Sequence, residues 1–71
     1  MKITYSSDVD VLYIKLRDGE IDESDEVDGI IFDYSADGSV VGIEILDASK
    51  RVELERLVVE SLPVSQSGSR L

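Results

Sequence analysis

Asp-Gly recurs three times along this chain, at residues 18–19, 28–29 and 37–38. The pair reaches positive φ at low cost and is a strong hairpin signal between alternating segments. The stretches between these turns have the length of strands, and most are rich in β-branched and aromatic residues. The spacing predicts an antiparallel β-meander of four or five strands, over residues 2–5, 11–17, 20–26, 30–34 and 40–46.

Side-chain register tests the individual hairpins. With Asp37 and Gly38 as a two-residue turn, Tyr34 faces Val41, Phe32 faces Ile43 and Ile30 faces Ile45. All six are apolar and share one face. A three-residue loop would instead set Ile30 against Glu44 and Phe32 against Gly42. One face of a sheet must be buried, so the even loop is favoured; a four-residue loop gives the same pairing. At Asp18 and Gly19 the same test sets Leu16 against Ile21, Arg17 against Glu20 and Lys15 against Asp22. The two opposite-charge pairs support that register by roughly 0.2–1 kcal/mol each. It then fails, because Ile14 meets Glu23 and Leu12 meets Asp25. The third strand is therefore expected to be short, bulged or bent away. The first strand alternates at Ile3 and Tyr5 and is expected to pair with the second.

From Asp47 the apolar period lengthens from two to about 3.6. Leu54, Leu57, Val58 and Leu62 fall on one stripe, which predicts a helix over residues 48–62. Asp47 or Ser49 can cap it and Pro63 stops it. Packing that stripe on the apolar sheet face gives a two-layer α+β domain. Val52 and Val59 lie off the stripe, where they widen the buried face or serve an oligomer contact. Residues 63–71, rich in Ser and Gly, read as a disordered tail or a linker remnant.

The chain has 71 residues, enough for one domain. It has no cysteine and no histidine, so neither a disulfide nor the usual zinc ligands can brace it. Small scaffolds without such braces often oligomerise, which predicts a homo-oligomer, in its simplest form a homodimer. Sixteen acidic residues against seven basic give a formal charge of −9. That argues against direct binding to a phosphate backbone and for a basic partner. The start of the chain lacks the long apolar core of a signal peptide. The longest apolar run, residues 11–14, is too short to span a bilayer. With the absence of cysteine, these features predict a cytoplasmic location and no membrane association.

The opening Met1-Lys2-Ile3-Thr4-Tyr5, the run Asp10-Val11-Leu12-Tyr13-Ile14, Asp33, Gly38, and above all Val41-Gly42-Ile43-Glu44-Ile45-Leu46-Asp47-Ala48-Ser49 carry a likeness. On these residues the chain resembles the prokaryotic family called domain of unknown function 2283. The resemblance covers roughly the first fifty residues. Ser6 and Ser7 depart from it, standing where that family often has Asp-Pro. It implies a small β-rich protein without an established activity. It also implies, for some members, an antitoxin-like role beside small toxins.

Three groups of residues stand out. Asp33, Ser35, Asp37, Gly38 and Glu44 match positions one, three, five, six and twelve of a calcium loop. A true loop of that kind needs flanking helices, whereas residues 30–32 and 43–45 read as strands, so the hairpin reading is preferred. Asp33 and Glu44 also share the outer face of that hairpin. Asp33 faces Gly42 with Glu44 as its diagonal neighbour, about 7–8 Å away. Such a pair could bind a cation or act as an acid and a base. The plainer reading is a solvated pair, or Glu44 bridged to a Lys or Arg of a neighbouring strand, such as Lys15. Gly42 leaves room for close approach by another chain. Lastly, Glu20, Asp22, Glu23, Asp25, Glu26 and Asp28 form an acidic run. It reads as an edge protected against aggregation, or as a docking strip for a basic protein or a decoy of nucleic-acid charge.

Without His or Cys the chain lacks the common catalytic base and thiol nucleophile. No serine has a visible activating base, and no Gly-rich phosphate loop is present. No cofactor is expected. The sequence therefore favours a non-catalytic interaction module. A small carboxylate- or metal-dependent enzyme is the alternative, and a purely structural module a third.

Overall fold

A computed structural model describes residues 1–56. Five strands, β1 (Lys2–Ser6), β2 (Val11–Lys15), β3 (Glu23–Val27), β4 (Ile30–Tyr34) and β5 (Val40–Leu46), precede a short helix, α1 (Ala48–Arg51). They form one antiparallel sheet in the order β1-β2-β5-β4-β3. The architecture is α+β, with β3, β4 and β5 running as a meander.

The β3–β4 turn is built as the Asp-Gly signal predicts. Val27 pairs with Ile30, and the two residues between them, Asp28 and Gly29, have φ of 53° and 79°. Two consecutive left-handed residues match the right-handed twist of the flanking strands. The β4–β5 turn reaches the expected pairing by a different route. Ser35 N–H donates to Ser39 O, and Gly38 N–H donates to Ser35 O. The loop is therefore the odd, three-residue kind, with Gly38 at φ 87°. Such a loop alone would move the apolar residues to the wrong face. A bulge restores parity: Tyr34 pairs with Val40 and Asp33 with Gly42, so Val41 has no opposite residue. Phe32 then faces Ile43 and Ile30 faces Ile45, as predicted, while Tyr34 meets Val40 rather than Val41.

Asp18 and Gly19 do not make a β2–β3 hairpin. β2 pairs with β5, with Leu12 opposite Ile45 and Ile14 opposite Ile43. The pairs predicted from the hairpin are accordingly absent, and Lys15 lies 3.1 Å from Asp18 instead. The mismatch of Ile14 and Leu12 with Glu23 and Asp25 is resolved by giving β2 an apolar partner. Residues 16–22 carry the chain across the end of the sheet to the far edge. Leu16 N–H donates to Val41 O at the start of this crossing, and Asp22 N–H donates to Tyr34 O at its end. Arg17 secures it by donating to the Ser35 and Ser39 hydroxyls of the β4–β5 turn.

The apolar face carries Ile3, Tyr5, Leu12, Ile14, Ile30, Phe32, Ile43 and Ile45. Leu12, Val41 and Ala48 are buried, whereas the isoleucines of β2, β4 and β5 and Phe32 are half-buried.

The expected helix over 48–62 is interrupted. Val52 is extended, at φ −130° and ψ 151°, and closes α1 by donating its N–H to Ala48 O. Helical backbone resumes at residues 54–56, where Arg56 N–H donates to Glu53 O. β-Branched Val52 fits extended backbone better than helix. The remainder of the predicted helix, with Leu57, Val58 and Leu62, and the predicted tail lie outside the described residues. Neither Asp47 nor Ser49 caps α1 with its side chain: Asp47 is left-handed and makes no cap bond. Asp10 of the β1–β2 turn serves instead. Its carboxylate accepts from the Ser49 N–H at 3.0 Å, the Ser49 hydroxyl at 2.7 Å and the Tyr5 hydroxyl at 2.7 Å. No helix of the described residues is long and apolar enough to cross a membrane.

Candidate functional site

The outer face of the sheet is built from alternate residues of β2, β5, β4 and β3. One row across it reads Lys15, Gly42, Asp33, Ser24; the next reads Tyr13, Glu44, Ile31, Glu26. Asp33 and Glu44 are thus diagonal neighbours on β4 and β5, as the sequence predicts. The predicted solvation of Asp33 is wrong: it is only 1% exposed. Its Oδ1 accepts from the Ser24 hydroxyl at 2.6 Å, and its Oδ2 is buried without a hydrogen-bond partner among the described residues. Glu44 is half-buried beside it. Burial, then the neighbouring Asp33 carboxyl, as a group to hydrogen-bond and as a negative charge, raise the Glu44 pKa above the ordinary carboxylate value. Lys15 is engaged with Asp18, so the expected bridge from Lys15 to Glu44 gives way to two carboxyl groups side by side.

The room above Gly42 is occupied by this chain. A Cβ there would lie 2.6 Å from the Tyr13 hydroxyl and 3.1 Å from two ring carbons. Gly42 therefore admits the Tyr13 ring rather than another backbone. Tyr13 gives no signal in the sequence beyond its place in an alternating strand; only the β2–β5 pairing reveals its role.

The calcium-loop match dissolves into a hairpin. Asp33 and Glu44 lie on strands, while Ser35 and Asp37 belong to the turn between them. Asp37 is consumed by that turn. Its Oδ1 accepts from the Ser35 hydroxyl, the Ser39 N–H at 3.0 Å and the Ser39 hydroxyl at 2.7 Å. These bonds, led by the one from Ser35, hold its pKa far below the usual carboxylate range. No group of three or more His, Cys, Asp or Glu able to hold a metal occurs among the described residues.

The acidic run takes a different place. Glu23, Asp25 and Glu26 lie on β3, an edge strand, with Glu20 and Asp22 in the segment leading into it. All five are exposed. Asp22, Glu23 and Asp25, with Ser24, Tyr34, Ser35, Ala36 and Gly38, line an open depression of about 690 Å³. Ile21 and Val27 flank the strip and are 51% and 58% exposed. The sequence shows the charge; the topology puts it on a strand that, among the described residues, pairs on one side only, beside an aromatic ring.

The described residues define a small antiparallel α+β module with a carboxyl pair, Asp33 buried and Glu44 half-buried, and an acidic edge strand. The model of the family described as protein of unknown function (DUF2283) matches residues 2–49. The chain belongs to that family, and the match spans all five strands and the start of α1. No curated protein and no solved structure matches it.

Proposed function

We propose that this protein is a non-catalytic interaction module that docks a basic, Lys- or Arg-rich partner along β3. The carrying observation is the open depression lined by Asp22, Glu23, Asp25 and Tyr34 at a sheet edge. An extended segment can add to the free backbone of an edge strand. Its guanidinium or ammonium groups would meet carboxylates and a tyrosine ring, favourable partners for a cation. Glu20 and Glu26 extend the strip at its two ends. In the antitoxin-like form of this reading, the docked partner is a small basic toxin whose charge the strip neutralises.

Self-association is the second part of the proposal. Ile3 and Tyr5 on one edge strand and Val27 on the other are 42%, 40% and 58% exposed on the apolar face. A second copy covering that face would make a homodimer. The module is proposed to work in the cytoplasm, a reading supported by the absence of cysteine. Carboxylate chemistry at Asp33 and Glu44 has less support, because Asp33 presents almost no surface to a substrate.

The test uses immobilised protein, a synthetic Arg-rich extended peptide and a charge-reversed variant, Glu23→Lys with Asp25→Lys. Wild type is expected to retain the peptide at low salt and release it as salt rises. The variant is expected to lose retention. Equal retention by both proteins would sink the docking strip. Light scattering addresses self-association, with a mass near twice 7.8 kDa expected.

A further inference from the structure

We infer that Asp33 and Glu44 share a single proton, and that this proton joins β5 to β4 while Ser24 joins β4 to the acidic edge strand β3. The inference starts from the orphan oxygen. A buried carboxylate oxygen without a donor is costly, and native structures rarely leave one so. Asp33 Oδ2 has no donor among the described residues, although Oδ1 of the same group has Ser24 at 2.6 Å. The neighbour best placed to supply one is the Glu44 carboxyl, which is a donor only when protonated. Two carboxylates so close cannot both be ionised cheaply, so one proton serves both groups.

Among the described residues, Lys15 is the cation that faces the pair, and the neutral Tyr13 hydroxyl, the other donor from β2, makes no hydrogen bond to Asp33 Oδ2. Tyr13 and Lys15 face the pair from β2, Glu26 lies across Ile31 on β3, and Ser24 is the nearest polar group of that strand. Lys15 is held by Asp18 at 3.1 Å. The Tyr13 ring covers Gly42, between Lys15 and Asp33 in the same row, and helps to close that row against water.

The pair lies on the outer face, opposite the apolar one. The proposed hydrogen bonds run from Glu44 through Asp33 to Ser24, so they span three adjacent strands. Loss of the proton would leave two adjacent negative charges, which repel across β4 and β5, while the Ser24 hydroxyl would still donate to an Asp33 carboxylate.

The raised pKa of Glu44 gives the direction of the pH dependence. A carboxyl whose folded pKa exceeds its unfolded value adds stability in full below the unfolded value. That contribution is lost as pH rises through the folded value. The test is a ¹³C NMR titration of the Asp33 and Glu44 carboxyl carbons, with urea unfolding of wild type and Glu44→Gln across the same pH range. A Glu44 midpoint above 4.5, returning toward 4.5 in Asp33→Asn, is expected. The amide introduced by Glu44→Gln can donate to Oδ2 at any pH, so the variant's stability is expected to stay flat where wild type declines. A Glu44 midpoint near 4.5 in wild type, or parallel unfolding curves for the two proteins, would overturn the shared proton. If Asp33→Asn fails to fold, the wild-type titration and Glu44→Gln still decide the matter.

Discussion

At the scale of single residues, Gly42 and Asp10 show how local chemistry fixes this sheet. Gly42 exists because the Tyr13 ring needs its space: an added Cβ would stand 2.6 Å from the hydroxyl and 3.1 Å from the ring. Gly42→Ala must lift that ring, and overpacking of this kind costs about 1–3 kcal/mol. Urea unfolding is expected to show that loss. In a Tyr13→Ser background the same substitution is expected to be neutral or stabilising, because Ala restricts the unfolded chain more than Gly. A loss of equal size in both backgrounds would mean that Tyr13 is not the cause. Asp10 acts over a long span of sequence, tying Tyr5 and Ser49 to one turn. The bonds from Tyr5 and then Ser49 lower its pKa. A depressed folded pKa gives stability that is present above the unfolded value of about 3.8 and is lost as pH falls through the folded one. Asp10→Asn is expected to flatten that acid limb and to leave the stability slope near neutral pH unchanged. No sequence pattern marks this cap, since Asp47 and Ser49 occupy the positions where local rules place one.

At the scale of elements, the legible parts are those governed by nearest neighbours. β4 and β5 fall at their predicted bounds, and the β3–β4 turn has the left-handed pair that Asp-Gly favours. Gly29→Ala is expected to destabilise this turn, because φ 79° strains an alanine and its Cβ would meet Arg51 Nη2 at 3.0 Å. Hydrogen exchange is expected to quicken first at β3 and α1, which that turn and Arg51 connect. Unchanged protection there would contradict the connection. In the β4–β5 hairpin the sequence reveals the buried face but not the loop. An odd loop and a bulge at Val41 cancel, and burial arguments see only their sum. The relation of β2 to β3 is not legible at all. Arg17 against Glu20 and Lys15 against Asp22 make a plausible local register, yet distant β5 offers β2 the apolar pairs Leu12–Ile45 and Ile14–Ile43. Non-local pairing wins when it alone keeps the buried face apolar. The diagonal placement of Asp33 and Glu44 is legible from the β4–β5 hairpin. The burial of Asp33 is not, because it depends on how the strands beyond that hairpin assemble.

At the scale of the whole molecule, charge and topology converge on one edge. A chain with a net charge of −9 could spread its carboxylates evenly. This one sets Glu20, Asp22, Glu23, Asp25 and Glu26 in and before a single edge strand, beside the depression that Tyr34 helps to line. The same charges discourage like edges from pairing, so under the proposed docking one set of residues would serve both protection against aggregation and selection of a basic partner. The most direct measurement is a ¹⁵N–¹H NMR titration of the full chain with an Arg-rich extended peptide at low salt, repeated at high salt. Saturable shifts confined to the amides of residues 20–27 and 34–38, and abolished by salt, are the expected result. Shifts centred elsewhere, or none at peptide concentrations that saturate the immobilised protein, would contradict the claim that β3 is the docking edge.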